Sequence, residues 1–454
     1  MKNKFFTSND LKQVFGSKLK FLVFTGASID SRNVRKGHMF FAIKGKKNDG
    51  HNFLSEAKRR GANAIIVNKK SKKINLPQIV VPNTHKALIK FAKYYRSCSE
   101  AKIIGITGSV GKTGTKDALA YILSKHKKVF CSRKSYNNDF GLPLEILNMP
   151  RKAEIGIFEL GMNHRNEIRN LARILDPDIA VLLNINYVHS GNFKSLDQIA
   201  LAKSEIFTSS KKIQTLVLNK DNRYFSVLKK LAHKNGIHNV LVFSEKGKTD
   251  IFLRNKKNIN NKVVLEVLFK STNRISYKIN KDQDFFIGNS LAIIGCLSAL
   301  DLKIDYIKKL KDVPASTGRG NIIKCRYNNK KIKIIDHTYN SSPVSLIATM
   351  KSFNSMKEKN IIYIIGDMNE LGKKSLEFHK KILKLTLKQS FDYCIFVGTN
   401  FYSIKNLTIK SNVKFMNNVD ELIEKIDTFI NNRCSIFIKG SNSINLSKIV
   451  RHLI

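Results

Sequence analysis

Two apolar periodicities alternate along this chain, and the switches between them mark out its parts. Short stretches dominated by apolar and β-branched residues at 64–67, 102–107, 154–160, 178–183 and 361–365 predict buried strands. Between and beyond them, apolar positions at helical spacing predict helices over 53–60, from 112 to about 126, over 199–207 and over 286–300. From Lys102 to about Lys220 strand and helix alternate, the pattern of a parallel sheet with helices on both faces. From about Asp250 to Ile279 the period changes to two, as in Val263 to Phe269 and Arg274 to Ile279, which predicts a small antiparallel insert. Pro314 to Gly320 then breaks the pattern, and a new alternation follows with strands near 331–336, 361–366 and 435–439. A smaller unit with strand candidates at 37–43 and 64–67 precedes residue 98. The reading is an α/β protein of three domains, over 1–97, 98–316 and 317–454, joined by flexible linkers near 98 and 316.

Composition narrows the field. With 454 residues and 42% hydrophobic content the chain can bury several cores, so it is not disordered. Lys+Arg 81 against Asp+Glu 34 gives a net charge of +47, a balance that prompts a search for a nucleic-acid partner. The lysines form no long block or arm, however, and accompany abundant Asn and Ile. A diffuse solvated excess is expected, with no nucleic-acid partner. The six cysteines are widely separated and form no Cys-x-x-Cys pair, which argues against zinc and for a reducing compartment. Met1 to Asp10 lacks the apolar core of a signal peptide, and no apolar run is long enough to span a bilayer. A cytoplasmic monomer without a transmembrane segment is expected.

The candidate chemistry gathers where strands end. After the 102–107 run come Thr107, Gly108, Ser109, Val110, Gly111, Lys112 and Thr113, then a helix. Glycines let the backbone turn with its N–H groups inward, and the helix points its positive end at the same spot, so the stretch reads as a nucleotide-phosphate cradle. Lys112 would reach the outer phosphates and the Thr113 hydroxyl would hold Mg2+. The strict phosphate-loop spacing wants a glycine at Ile106, whereas the chain has it at Gly105. Glu159 ends the next strand, Asn186 and His189 follow the one after, and Lys203 sits on the 199–207 helix. A carboxylate and an imidazole beside a triphosphate suit magnesium, and beyond the carboxyl ends of parallel strands is where ligands collect. Asp30, Ser31 and Arg32 could bind a phosphate or sugar, or form a solvated turn; Asn137 and Asn138 could be turn formers alone. In the last unit Asp336, Tyr339, Asn340 and Lys439 lie at strand ends or on the loops after them.

Taken together, these motifs resemble the Mur ligases over nearly the whole length. Among them the chain is most similar to those that join D-Ala-D-Ala to UDP-MurNAc-tripeptide. The resemblance implies an N-terminal UDP-sugar domain carrying Ser28, Asp30, Ser31, Arg32 and Asp49, a central ATP-binding domain, and a Rossmann-like C-terminal domain. It also implies ATP and Mg2+ as cofactors, with Glu159 and His189 as metal ligands. Lys203 would be a carbamylated lysine holding a second magnesium, and Lys112, Glu159, His189, Lys203 and Arg319 the catalytic set. Asn289, Asp336 and Tyr339 would hold the adenosine, and Asn137, Asn138, Asn340 and Lys439 the peptide substrates. Asp336-His-Thr-Tyr-Asn-Ser-Ser-Pro343, and Gly366-Asp-Met-Asn-Glu-Leu-Gly372 followed by His379, carry the finer resemblance. The chain departs from the family pattern at His337, usually aspartate, at Ser341, usually alanine, and at Asn442, commonly arginine. Phe285 and Phe286 stand where a His-Asn pair is usual, which leaves adenine recognition to Asn289. The alternatives within the fold are ligases that add the third peptide residue, whose Asp-Asn-Pro-Arg motif is missing here, and folylpolyglutamate synthases.

Overall fold

Among the described residues the chain forms four sheets, a two-stranded ribbon of Phe6–Thr7 and Val23–Phe24 and three larger ones, and the largest, central sheet sets the geometry of the rest. The computed structural model describes residues 5–45, 48–133, 135–187, 191–208, 213–260, 262–270, 273–315 and 317–454. Near the N-terminus, Ala27–Ser28, Met39–Phe41, Ala64–Val67 and Gln78–Val80 pair in that order as a parallel four-stranded sheet. Its two inner strands are fully buried, Met39 to Phe41 and Ala64 to Val67.

The central sheet has nine strands. From one edge they run Val129–Cys131, Ile155–Glu159, Lys102–Thr107, Ile179–Leu182, Thr215–Asn219, Val240–Ser244 and Ile251–Ile259, all parallel. Lys262–Phe269 and Asn273–Asn280 complete it, antiparallel. The stretch with period two is antiparallel, as its pattern predicts, and Ile251–Ile259 also pairs with Val240–Ser244, so the insert extends the main sheet. One face of the added strands, Val263, Leu265, Val267, Ile275, Tyr277 and Ile279, is buried in the same core as Ile287 to Leu297. That shared core is why the hairpin is not independent.

The last sheet has the order Asn321–Tyr327, Lys330–His337, Cys434–Lys439, Ile361–Gly366, Tyr393–Val397 and Val413–Met416, parallel except for the first pair. It is packed on both faces by its own cores.

The junction near residue 98 is tied rather than loose. Thr84–Ser97 is a helix whose Leu88, Phe91, Ala92 and Tyr95 share one core with Leu142, Ile146 and Phe158 of the central domain. Buried Arg96 donates to the carbonyls of Leu175 at 2.8 Å and Asp176 at 2.9 Å. Its charge is partnered by Asp178, so burying it is compensated. Among the described residues no helix is long and apolar enough to cross a membrane.

Candidate active site

The strand Lys102–Thr107 is the point where the central sheet changes direction of winding, with Ile155–Glu159 on one side and Ile179–Leu182 on the other. Register aligns Ile106 with Glu159 and Thr107 with Leu182, so three strand ends open on one place. Gly111 closes the turn at φ +90°, and a Cβ there would lie 2.5 Å from the Asn289 amide. The helix Lys112–Ser124 begins at once, burying Thr113, Thr115, Ala118, Leu119, Ile122 and Leu123 along one stripe. A glycine is needed at 111 both for the backbone angle and for that close approach.

Side chains then converge. The Thr113 hydroxyl donates to Glu159 Oε2 at 2.5 Å, and the Asn137 amide donates to Oε1 at 2.7 Å, so both carboxylate oxygens are engaged. Lys112 folds back to the Gly108 carbonyl at 2.9 Å. Burial lowers its pKa, with Glu159 opposing and Arg319 adding to the effect. Lys203, on the helix Leu196–Ser204, is 1% exposed. Burial holds its pKa well below the usual lysine value, Lys112 pushes it further down, and Glu159 opposes. His189 lies outside the described residues.

The C-terminal domain closes over this centre. Arg319 donates through Nη2 to Thr113 Oγ1 at 3.0 Å and stacks 4.0 Å above the Tyr339 ring, whose hydroxyl meets Ser135 Oγ at 2.5 Å. Between the two domains lies a cavity of about 780 Å³ whose lining includes Ser109 to Thr113, Asn137, Asn138, Glu159 and Asn289. From the other side come Arg319, Tyr339, Asn340, Ser341 and Lys439. Lys439 is fully enclosed and donates to the Asn340 carbonyl at 2.8 Å. Burial, helped by Arg319 and opposed by Asp336, brings its pKa down to about 7.

Other expected residues fall elsewhere. Asp336, 2% exposed, accepts from the Thr338 N–H and hydroxyl and does not line the cavity, because it caps its own turn. Thr107 is buried and donates its hydroxyl to the Leu160 carbonyl at 3.1 Å, and neither it nor Gly108 lines the cavity. Asn138 accepts from the Phe140 and Gly141 N–H groups, holding a turn at the cavity wall. Ser28, Asp30, Ser31, Arg32 and Asp49 stay in the N-terminal domain, away from the cavity lining. There Asp30 is paired with Arg32, Ser31 donates to Glu56, and Asp49 caps the turn Gly50–Phe53. Arg32 lowers the Asp30 pKa.

The departures also have places. His337 lies between Phe285 and Phe437, and burial, with Lys439 adding, drives its pKa well below the usual imidazole value. Phe286 packs on Gly114 and lines the cavity beside Phe285. Asp367 and His379 shape the loop that follows Ile361–Gly366. Asp367 accepts from Asn400 and Phe401, while His379 Nδ1 lies 2.7 Å from the Ser375 carbonyl and Nε2 accepts from the Met368 N–H. That pairing fixes a neutral imidazole, and burial lowers its pKa in agreement.

Sequence reasoning picked out Asn186 at a strand end but not that it and Asn184 hold the phosphate loop from the side. Asn184 accepts from the Val110 N–H at 2.8 Å and donates to its carbonyl at 2.9 Å. Asn186 donates its N–H to Ser109 Oγ at 2.8 Å, and that hydroxyl donates to the Asn186 carbonyl at 3.0 Å. The available signal was an asparagine at the end of a buried strand.

The residues fit a nucleotide with magnesium. Thr113 and Glu159 offer hard oxygen donors side by side, and Arg319 Nε is buried with no hydrogen-bond partner, a donor left for an anion. Among the described residues no group of three or more His, Cys, Asp and Glu gathers to hold a metal by itself. This agrees with magnesium's habit of taking one or two carboxylates plus phosphates and waters.

Comparisons with known proteins point the same way. Residues 23–96, 106–297 and 318–442 match the models for "Mur ligase family, catalytic domain", "Mur ligase middle domain" and "Mur ligase, glutamate ligase domain". A UDP-N-acetylmuramoyl-tripeptide–D-alanyl-D-alanine ligase of Rickettsia prowazekii is 35% identical, over 93% of this chain and 93% of its own. The enzyme of that name from Escherichia coli is 27% identical over 93% and 92%. Among solved structures, MurF from Acinetobacter baumannii superposes with TM-score 0.85 at 25% identity, covering 99% and 98% of the two chains. MurF ligase from Thermotoga maritima, solved in complex with ADP, gives 0.79 at 25% identity over 94% and 96%.

Proposed function

The chain belongs to the Mur ligase family, and from this we infer that it is the ligase that adds D-alanyl-D-alanine to UDP-N-acetylmuramoyl-tripeptide in peptidoglycan synthesis. ATP donates its terminal phosphoryl group to the free carboxylate of the tripeptide, giving ADP and an acyl phosphate. The amine of D-alanyl-D-alanine then attacks the acyl carbon, phosphate leaves with the bonding pair, and the amine loses a proton as the amide forms.

The first step brings two anions together, so charge neutralisation is the main physical problem. Lys112 and the N–H groups of Gly111, Lys112 and Thr113 would face the phosphates, while those of Ser109 and Val110 are held by Asn184. Arg319 reaches the same point from the C-terminal domain and neutralises the oxygen charge that builds on the transferring group. Thr113 and Glu159, with His189 as a further ligand, would hold magnesium, which would supply additional positive charge there. Asn137 orients the Glu159 carboxylate. The Lys203 amine, held toward its neutral form, suits addition to carbon dioxide, which would convert it to a carbamate ligand for a second magnesium.

The remaining roles are those the family resemblance implies. Asn289, beside the phosphate loop, and Tyr339, beneath Arg319, would flank the nucleotide, with Asp336 bonding Thr338 in the turn that leads to Tyr339. Asn138, Asn340 and Lys439 take the peptide and the incoming dipeptide, and Ser28, Asp30, Ser31, Arg32 and Asp49 hold the UDP-sugar end. The acyl phosphate hydrolyses readily, so closure of the C-terminal domain on the cavity excludes water while it exists.

The observation that carries the reading is the Thr113 hydroxyl, placed between the Glu159 carboxylate and the Arg319 guanidinium, which joins the phosphate loop to the C-terminal domain. Offering D-alanyl-D-alanine, diaminopimelate and glutamate together and identifying the product by mass tests it. Incorporation of D-alanyl-D-alanine alone is expected, and incorporation of either other amine in its place would overturn the specificity.

A further inference from the structure

Tyr187 belongs to neither of the expected site groups, yet it stands where the phosphate loop's support meets the C-terminal domain. Its ring lies 5.9 Å from that of Phe378, and the Lys374 ammonium sits 4.7 Å from its centre. Four residues on, the Gly191 N–H donates to the Glu370 carbonyl at 3.0 Å. Tyr187 and Gly191, both beyond Ile179–Leu182, are thus docked on the C-terminal domain, on the 367–374 loop and the helix Ser375–Thr386 behind it. On its other side Tyr187 adjoins Asn186, which exchanges two hydrogen bonds with Ser109, and Asn184 two residues earlier makes two more with Val110. An unbroken line of contacts therefore runs from Phe378 and Lys374, through Tyr187, to the backbone that cradles the nucleotide phosphates.

We propose that Tyr187 is a positioning residue that couples docking of the C-terminal domain to the phosphate loop, so that amine-substrate binding on one domain tightens nucleotide binding on the other. The chemistry suits the task. A ring can take both a tilted contact from phenylalanine and a cation, and both are lost when the domains part. By thermodynamic linkage, whatever the dipeptide gains by holding the C-terminal domain down is returned as nucleotide affinity, by the same factor in each direction. This coupling rests on the ligase reading above, because it needs the C-terminal domain to hold the amine.

The test is titration of the full-length protein with a non-hydrolysable ATP analogue in magnesium and UDP-MurNAc-tripeptide, with and without D-alanyl-D-alanine. In the wild type the dipeptide should tighten analogue binding by a factor in the usual range of about 5 to 150. Tyr187→Ala should bring that factor close to one while changing affinity without dipeptide by less than about twofold. Tyr187→Phe should keep the factor, and Phe378→Ala, from the opposite domain, should reproduce the loss. An unchanged factor in Tyr187→Ala would overturn the proposal, as would affinity lost equally with and without dipeptide, which marks a merely structural role. A wild type that ligates but shows no tightening refutes the coupling alone. A wild type that forms no amide product refutes the ligase reading and the coupling with it.

Discussion

Arg319 donates a hydrogen bond to the Thr113 hydroxyl at 3.0 Å, although the two residues belong to different domains and lie on either side of the cavity. The guanidinium is pre-set for an anion by its stack on Tyr339 and by its free Nε. Arg319→Ala should lower kcat by about a hundredfold or more, the usual cost of a lost charge-stabilising donor, in steady-state phosphate release. Arg319→Lys should recover little, because an ammonium cannot both stack on the ring and reach Thr113 in the same geometry.

Gly111 predicts a backbone effect. Alanine there must hold φ +90° and bring its Cβ to 2.5 Å from the Asn289 amide. Gly111→Ala should cost about 1–3 kcal/mol in denaturant unfolding and weaken nucleotide binding. Adding Asn289→Ala removes the clash but not the backbone strain, so the double variant should regain only part of the stability.

Lys439 should make stability depend on pH. Its folded pKa is about 7 against 10.5 for an ordinary lysine, so between those values the unfolded chain binds the proton and the folded chain does not. Stability is therefore lost as pH falls from about 10.5 to 7 and levels off below, with a slope of up to about 1.4 kcal/mol per pH unit from this one group. Lys439→Met lacks the term. The stability difference between variant and wild type, from urea melts across that range, should move in the variant's favour as pH falls.

Lys203 leads to a prediction about carbon dioxide. If its buried amine becomes a carbamate, ligation should fall in carbon-dioxide-free buffer and return on adding bicarbonate. Lys203→Ala should be nearly inactive and partly restored by a short carboxylate such as acetate, which supplies the missing oxygens. Activity indifferent to both treatments would mean that the lysine acts unmodified.

Much of this was legible in the residues because local pattern and global fold agree. The strand-turn-helix around Gly111 announces itself, since only glycine suits both the angle and the contact. Glu159 could be placed because it ends a buried apolar run. What stayed hidden depends on contacts between distant segments. Asn184 and Asn186 look like any loop asparagines until they are seen bonded to Ser109 and Val110. The period-two stretch after Asp250 signalled strands but not which edge they join, and Arg96 gave no sign in sequence that it ties the first junction. Asp336 was expected to face the nucleotide and instead bonds Thr338, a choice between capping and binding that the motif alone leaves open.

The most direct test of the central claim is phosphate release from ATP by the purified protein given UDP-MurNAc-tripeptide, with and without D-alanyl-D-alanine, beside a Lys112→Ala control. Release that needs both substrates, matches amide product one for one and vanishes in the control is predicted. Release indifferent to D-alanyl-D-alanine, or unchanged in Lys112→Ala, would contradict it.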